Sequence, residues 1–263
     1  MHNLLRLVTC SNLRKDLLLS LRVGPKPLSE FRNEINVSST TAIHALRDLE
    51  RGNLIFQDDA RNYALTKIGE IMALKLEDLL CAVEVLQKHE RFWQEHDLTD
   101  IPPPLLDKIG DLRKSMPLLG TTTDLFKLHA TFIQVLETAH EVKGIYPIFD
   151  LEYLTTIRDL VKRKGVEVEL IVTTEVLESI GGMIETEELF YDFLDEPNLT
   201  LFTSERPLKL TLTLTDCVFY LGLFAPDGLY DFNRALISDD ARALGWGRSL
   251  YEHYRQRAKL MTE

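Results

Sequence analysis

Long hydrophobic runs are scarce in this chain of 263 residues. Its apolar stretches, such as DLLLSL and DLLCAVEVL, are much shorter than the roughly 20 residues that a membrane-spanning helix needs. The opening MHNLLRLVTCSNLRKD turns polar too early for a signal peptide. We therefore expect a cytoplasmic protein without a membrane partner.

Cysteines and metal-ligand spacings are also few. Cys10, Cys81 and Cys217 are far apart and odd in number, which argues against both a zinc site and a disulfide framework. No Walker loop, GxSxG elbow or HExxH helix occurs in the sequence. The sequence therefore predicts no metal, no cofactor and no catalytic residue.

Net positive charge is missing too, because the chain carries a formal charge of −11. Residues 1–70 nevertheless hold ten Lys and Arg against eight Asp and Glu, while the remainder holds 20 against 33. Salt screens charges that are more than about 10 Å apart, so the local charge of the N-terminal part decides how that part binds a polyanion. A mildly basic head on an acidic body indicates a DNA-reading domain joined to a domain that does not touch DNA.

The first 70 residues predict three helices followed by a hairpin. Ser11 and Ser38 stand where helix N-caps are expected, and Pro27 suits the start of the middle helix. The segment NLIFQDDARNYALT predicts two short strands joined by a polar turn at Asp58–Arg61. This order of elements is that of a winged helix-turn-helix domain.

The segment VSSTTAIHALRDLERGNLI contains the expected recognition helix. Ala42, Leu46 and Leu49 recur at helical spacing on one face, which leaves the opposite face for a DNA major groove. Asp48 and Glu50 oppose phosphate binding, so we expect modest affinity and two heads per site. The predicted DNA-binding residues on this face and on the wing are Ser39, Thr40, Ile43, His44, Arg47, Arg61 and Asn62.

The rest of the chain predicts a second, larger domain. A long helix over Lys67–Phe92 is expected to pack on the body or to pair with its copy in a homodimer. Helical and strand-like segments then alternate, which predicts a mixed sheet covered on both faces, and Ser238 is expected to cap the final helix. We expect a winged helix over residues 1–70, a linker helix and boundary loop over 71–104, and an effector-sensing α/β domain over 105–263.

A ligand of such a sheet is expected beyond the carboxyl ends of its parallel strands. Arg206 and Arg234 are candidate anion contacts, because a guanidinium pairs with carboxylate or phosphate through two hydrogen bonds. Tyr220 and Trp246 are candidates for an apolar wall. The full set of candidate ligand-binding residues is Asp150, Thr173, Thr174, Thr203, Ser204, Arg206, Tyr220, Arg234 and Trp246.

Two strings, FWQEHDLTDIPPPLLDKIGDL and NRALISDDARALGWGRSLYEHYRQRA, are similar to archaeal regulators of the methanogenesis-regulator family, which controls methanogenesis and filament growth. The resemblance covers essentially the full chain. It implies a transcription factor whose C-terminal domain resembles the phospholipase D fold and senses a ligand or partner. The expected fold class is thus α+β and α/β, an N-terminal winged helix-turn-helix plus a C-terminal mixed α/β domain.

Catalysis of the phospholipase D type uses the motif His-x-Lys. None of the seven histidines is followed by Lys two positions later, so we expect no enzyme. The predicted function is a DNA-binding transcriptional regulator, a homodimer on double-stranded DNA whose C-terminal domain senses a small-molecule effector or a partner. Two alternatives remain: a phosphodiesterase-like enzyme with an accessory winged helix, and a module whose winged helix binds protein.

Overall fold

The computed structural model describes residues 4–120, 127–181, 190–192 and 194–261. The chain divides into two compact units, Met1–Cys81 and Ala82–Glu263. Among the residues described, no helix combines the length and the apolar character that crossing a membrane requires. The domain boundaries expected after residues 70 and 104 stay predictions.

The first unit consists of short helices and a two-stranded hairpin. The three helices and the hairpin expected from the sequence are confirmed, and α1 is an additional helix that the sequence did not predict. The elements are α1 (Leu4–Thr9), α2 (Asn12–Ser20), a 3-10 turn (Leu21–Val23), α3 (Leu28–Ile35), α4 (Ser39–Arg51), β1 (Ile55–Gln57), β2 (Tyr63–Leu65) and α5 (Lys67–Lys88), which continues past the end of the unit.

Short polar side chains set the ends of these helices. Ser11 Oγ accepts the Arg14 N–H at 3.4 Å, and Ser38 Oγ accepts the Thr41 N–H at 3.2 Å. Between α3 and α4, Asn36 adopts the left-handed conformation with φ of 53°, which its side chain tolerates better than most. The chain therefore turns sharply there, and this turn sets α4 against α3.

The core of the first unit is built from the apolar faces of α2, α3 and α4 and from the start of the hairpin. Leu17, Phe31, Leu46, Leu49 and Leu54 are all fully buried in it. Burying each such side chain stabilises the fold by about 1.5–3 kcal/mol. The helical spacing that predicted an inward face of α4 is therefore confirmed.

A glycine allows α5 to approach the hairpin closely. A Cβ on Gly69 would lie 1.8 Å from the Leu54 carbonyl oxygen, well inside the roughly 3.3 Å of a close carbon–oxygen contact. Thr66 Oγ1 accepts the Gly69 N–H at 3.0 Å and donates to the Asn53 carbonyl at 2.7 Å. These contacts fix the first turn of α5 against the hairpin.

Within the described ranges, the second unit forms an eight-stranded mixed sheet with helices on both faces. A short 3-10 helix, Ile109–Leu112, and a short π-helix, Leu160–Lys164, accompany these elements. Those elements are α6 (Glu90–Glu95), α7 (Pro103–Leu106), β3 (Met116–Leu119), α8 (Lys127–Glu137), β4 (Glu141–Tyr146), α9 (Leu151–Asp159), β5 (Glu167–Thr173), α10 (Thr174–Gly181), β6 (Leu199–Ser204), β7 (Leu210–Thr215), β8 (Phe219–Phe224), β9 (Tyr230–Ser238), α11 (Ala241–Arg255) and β10 (Lys259–Leu260).

The strand order across the sheet is β10-β6-β5-β4-β7-β8-β9-β3. The neighbours β4, β5 and β6 run parallel to one another, whereas every other pair is antiparallel. The carboxyl ends of β4, β5 and β6 therefore meet at one edge of the sheet. The expected mixed sheet is confirmed.

The two faces of the sheet support two separate cores. Successive strand residues point to opposite faces. Accordingly, Ile145 and Ile171 pack in one core with Trp246 of α11, while Tyr146 and Leu170 pack in the other with α8, α9 and α10. The expectation that both faces are covered is confirmed.

Two element boundaries predicted from the sequence are wrong. The helix expected over Lys67–Phe92 breaks at His89, whose backbone leaves the helical region and whose Nε2 lies 3.1 Å from the Ser115 carbonyl. Ser238 ends β9 instead of capping α11, and Asp240 caps that helix by accepting the Arg242 N–H at 3.1 Å. The sequence ETEELFYDFLDE also predicts a helix over residues 185–196. Of these, 190–192 and 194 are helical, whereas 185–189 and 193 lie outside the described residues.

Candidate functional site

Helix α4 turns the predicted polar face to solvent. Thr40, His44 and Arg47 are exposed, and Ser39 and Ile43 are half-buried beside them. The opposite face is buried in the core and consists of Ala42, Ala45, Leu46 and Leu49. The five predicted residues of α4 thus lie together on one side of the helix.

The wing is a tight turn that holds Arg61 outward. The Arg61 N–H donates to the Asp58 carbonyl at 2.9 Å, and the Asn62 N–H donates to Asp58 Oδ1 at 2.7 Å. Arg61 has a φ of 64°, which is uncommon for a residue with a side chain. Its exposed guanidinium therefore stands on a rigid turn, while the Asn62 side chain donates to Asp58 at 3.4 Å.

Of the two acidic residues on α4, Asp48 is partly neutralised by its neighbours. Asp48 lies 3.4 Å from Arg14 Nη1 and 3.3 Å from Arg51 Nη1. Arg14 is itself held in place, because its Nε donates to the Leu7 carbonyl at 2.7 Å. Asp48 therefore repels phosphate less than its formal charge suggests.

Ion pairs divide the cations of the first unit into two groups. Six of them are paired with carboxylates: Arg14, Lys15, Arg22, Lys26, Arg51 and Lys75. Four others, Arg32, Arg47, Arg61 and Lys67, make no ion pair with any residue that the structure describes. The unpaired charges at α4 and at the wing are therefore available to an external anion such as a phosphate backbone.

The second unit contains a polar cavity of about 330 Å³ beyond the carboxyl end of β6. Its wall combines that strand end with α11, β10 and the segment before α7. The lining residues are Thr99, Asp100, Pro102, Pro103, Thr203, Ser204, Glu205, Arg206, Leu208, His253, Tyr254, Arg257 and Lys259. Three of the predicted ligand-binding residues, Thr203, Ser204 and Arg206, are among them.

Hydrogen bonds hold these predicted residues in place. Ser204 Oγ accepts the Arg206 N–H at 3.3 Å, and Thr203 Oγ1 donates to the Lys259 carbonyl at 3.4 Å. Thr174, the first residue of α10, donates to the Ser204 carbonyl at 3.5 Å, and Thr173 is buried at the end of β5. These two threonines thus support the edge of the cavity from beside the neighbouring strand.

Asp150 and Tyr220 lie elsewhere in the second unit. Asp150 caps α9 by accepting the Tyr153 N–H at 2.9 Å, and it borders a separate, mainly apolar cavity of about 30 Å³. Tyr220 is buried against Phe132, with ring centroids 5.1 Å apart. Burial raises the pKa of the Tyr220 phenol.

Arg234 and Trp246 are also engaged outside the polar cavity. The Arg234 guanidinium pairs with Glu95 and lies 3.9 Å from Asp231. Trp246 is buried, and its Nε1 donates to the Leu105 carbonyl at 2.9 Å. The structure therefore brings neither of them to Arg206.

Several residues that line the cavity were not predicted from the sequence. Strand β10 pairs with β6 so that Lys259 lies opposite Thr203, and this pairing brings Arg257 to the same edge. Burial and the charge of Arg257 lower the pKa of the neighbouring His253. A strand of two residues has no periodic signal that a sequence pattern could reveal.

The fold and these sites define a class of protein, a winged helix-turn-helix domain joined to a mixed α/β domain. The family model for the Methanogenesis regulatory protein FilR1 N-terminal domain matches residues 2–84, and the model for its middle domain matches residues 125–257. The chain belongs to this family of methanogenesis regulatory proteins, and the resemblance seen in the sequence is confirmed.

A curated relative, Methanogenesis regulatory protein FilR1 of Methanothrix harundinacea (strain 6Ac), is 28% identical over 255 residues. The match covers 96% of this chain and 57% of that relative. This chain therefore spans little more than half the length of the relative.

Three solved structures are similar to parts or most of this chain. TrmBL2, described as an archaeal chromatin protein with a novel mode of DNA binding, is 16% identical over 95% of this chain and 94% of its own, with a TM-score of 0.45. NucT from Helicobacter pylori is 16% identical over 56% and 99%, with a TM-score of 0.42. Nuc from Salmonella typhimurium, a phospholipase D family member, is 12% identical over 57% and 99%, with a TM-score of 0.41.

Proposed function

We propose that this chain is a transcriptional regulator that binds double-stranded DNA through α4 and the wing. The observation that carries the proposal is the position of two exposed cations: Arg47 lies on the solvent face of α4 and Arg61 on the wing, and neither has an ion-pair partner among the described residues. Membership in a family of regulatory proteins supports it.

Each predicted residue has a definite role in this proposal. Arg47 forms two hydrogen bonds to a guanine in the major groove, and His44 contacts a neighbouring base edge or phosphate. Ser39 and Thr40, in the first turn of α4, contact phosphates, which the N-terminus of a helix favours. Ile43 contacts a thymine methyl group, and Arg61 and Asn62 contact the backbone or the minor groove beside it.

Selection of bound sequences from random double-stranded DNA by the full chain tests this proposal. We expect a single preferred motif, and an affinity that falls steeply with salt because phosphate contacts release counterions. A chain that enriches no sequence and binds no DNA at low salt would show that the winged helix has another partner.

A second copy of the chain is the proposed partner of α5. Ile68, Ile71 and Leu79 lie on the same side of this helix and expose 54%, 65% and 51% of their surfaces. Covering such side chains is favourable by about 25 cal/mol for each Å² of apolar surface removed from water. A homodimer through this face would place two recognition helices on one DNA site.

An effector-binding role is the proposed function of the second unit, supported by the polar cavity around Ser204 and Arg206. A ligand changes DNA affinity only if it binds two arrangements of the protein unequally. The test is the affinity of the full chain for its selected DNA with and without a small-molecule fraction of cell extract. An affinity that no fraction alters would leave the chain as a regulator without an effector.

A further inference from the structure

Two arginines in the polar cavity of the second unit have no carboxylate partner among the residues that the structure describes. The Arg206 backbone N–H is bonded to Ser204 Oγ, whereas no partner of its guanidinium is seen in the described part of the chain. Arg257 Nη1 donates at 2.5 Å to the His253 carbonyl, which carries no net charge. Both side chains belong to exposed residues that line the cavity.

The carboxylates that line the same cavity are already engaged. Glu205 pairs with Lys259, whose ammonium group lowers the pKa of that carboxyl. Asp100 Oδ2 accepts the Lys209 backbone N–H at 2.6 Å. The lining therefore carries three cations, Arg206, Arg257 and Lys259, against two carboxylates, Asp100 and Glu205. It keeps an excess of positive charge, and neither guanidinium forms an ion pair within the described residues.

Arg206 and Arg257 line the cavity together with Tyr254. Burial raises the pKa of the Tyr254 phenol, and the charges of Arg206 and Arg257 act in the opposite direction. The Tyr254 hydroxyl donates to the Asp100 carbonyl, so the ring is held in place. Two cations that come from separate elements therefore line the same cavity as this phenol.

We propose that Arg206 and Arg257 together bind the phosphate group of a phosphorylated small molecule in this cavity. Two guanidinium groups match the charge of a phosphate monoester dianion, and each offers parallel hydrogen-bond donors to its oxygens. The Ser204 hydroxyl donates to the Arg206 carbonyl at 2.9 Å and accepts the Arg206 N–H, so it holds the backbone of this arginine in place.

The remaining wall accommodates the organic part of the molecule. Pro102, Pro103 and Leu208 provide apolar surface next to the arginines. A volume of about 330 Å³ lies at the lower end of the roughly 300–1,000 Å³ that small-molecule sites occupy. A compact phosphate monoester therefore fits the site in size, polarity and charge. The inference rests on the proposed effector role of the second unit and names the class of effector.

The binding of three matched probes to the full chain tests the proposal without DNA. Phenyl phosphate, benzoate and phenol share the same ring and differ in the attached group. We expect phenyl phosphate to raise the melting temperature and to show a broadened phosphorus resonance on addition of the wild-type protein. Benzoate is expected to bind at least tenfold more weakly, and phenol is expected to leave the melting temperature unchanged.

Substitutions then assign the binding to the two arginines. Arg206→Gln and Arg257→Gln are each expected to weaken phenyl phosphate binding at least tenfold. Arg248→Gln serves as the matched control, because Arg248 is an exposed arginine of α11 that does not line the cavity. Circular dichroism checks that each variant is folded. The phosphorus resonance measured with the wild-type protein tests phosphate binding even if a variant does not fold.

Several outcomes would overturn the proposal. These are the absence of phenyl phosphate binding to the wild-type chain, equal binding of benzoate, and unchanged phenyl phosphate binding in the folded Arg206→Gln and Arg257→Gln variants. The effector role is tested separately, since phosphate binding that leaves DNA affinity unchanged would contradict that role and keep the phosphate site.

Discussion

Asp97 Oδ2 lies 2.6 Å from Lys209 Nζ, and this ion pair joins the segment after α6 to the residue before β7. The Thr99 N–H and hydroxyl donate to the other carboxylate oxygen of Asp97 at 2.9 and 2.7 Å. The bond from Lys209, followed by those from Thr99, lowers the pKa of Asp97 to about 2. The Asp97 side chain is 13% exposed and that of Lys209 42% exposed, so salt still screens part of this attraction.

The stability that Asp97 contributes should depend on pH in a defined window. A carboxyl whose pKa falls on folding stabilises the native state above its unfolded pKa and loses that effect as pH falls through the folded value. The contribution of Asp97 should therefore be complete above about pH 5 and largely lost by about pH 2. Asp97→Asn should lower the free energy of unfolding by about 1–2 kcal/mol at pH 7 and have a much smaller effect at pH 2.

Denaturant unfolding followed by tryptophan fluorescence measures this effect, because Trp93 and Trp246 both belong to the second unit. Asp107→Asn is the control, since the Asp107 carboxylate has no partner within the described residues. A loss of stability in Asp97→Asn that is equal at pH 7 and pH 2 would contradict the role of the ion pair.

Arg47→Ala should relax the preference for one base position of the DNA motif. The loss of two hydrogen bonds to a guanine should cost about 1–3 kcal/mol of binding free energy at that position. The measurement is a comparison of the selected motifs of the variant and the wild-type chain. Lys75→Ala removes a charge that is already paired with Asp78 and should leave the motif unchanged. An unaltered motif in Arg47→Ala would mean that another face of α4 enters the groove.

Arg61→Gly should weaken binding to all DNA sequences by a similar factor. Glycine suits the positive φ of this position, so the substitution removes the guanidinium and keeps the turn. Each phosphate contact contributes about 0.9 to the slope of log affinity against log salt, and the variant should lose a contribution of that size. A slope identical to that of the wild type would exclude a phosphate contact by Arg61.

Two glycines of α11 should respond to alanine in opposite directions. A Cβ on Gly245 meets no atom within 4 Å, whereas a Cβ on Gly247 would lie 2.6 Å from Leu214 Cδ2 and 2.7 Å from Phe219 Cδ2. Gly245→Ala should therefore stabilise the helix by about 0.5–1 kcal/mol. Gly247→Ala should destabilise the second unit by about 1–3 kcal/mol through overpacking. Tryptophan fluorescence in denaturant distinguishes the two, and equal effects would contradict the packing around α11.

Ile71→Asp should prevent self-association if α5 pairs with its copy. A charge at the centre of an apolar contact must lose its hydration when the copies meet, which is unfavourable without a partner. Sedimentation velocity should show a dimer for the wild-type chain and a monomer for the variant. Glu70→Lys reverses an exposed charge on the opposite side of the same helix and is the control. A wild-type chain that sediments as a monomer at high concentration would contradict the proposed dimer.

The sequence alone determined the features that depend on neighbouring residues. Ser38 caps α4 through a residue three positions away, and Ala42, Leu46 and Leu49 mark its buried face by their spacing. The strands of the mixed sheet other than β3 and β10 were predictable for the same reason, since their apolar character lies within short segments. The two sequence strings that resemble methanogenesis regulators indicated the family to which the chain belongs.

Only the tertiary structure decided which side chains meet across long stretches of chain. Trp246 and Tyr220 looked alike as candidate wall residues, yet they lie in different cores, against Phe219 and Phe132 respectively. The cavity depends on the pairing of Lys259 with Thr203, which are 56 residues apart. Helix caps and periodic faces arise from contacts within one or two turns. By contrast, an ion pair or a cavity wall depends on where the sheet places segments that share no local pattern.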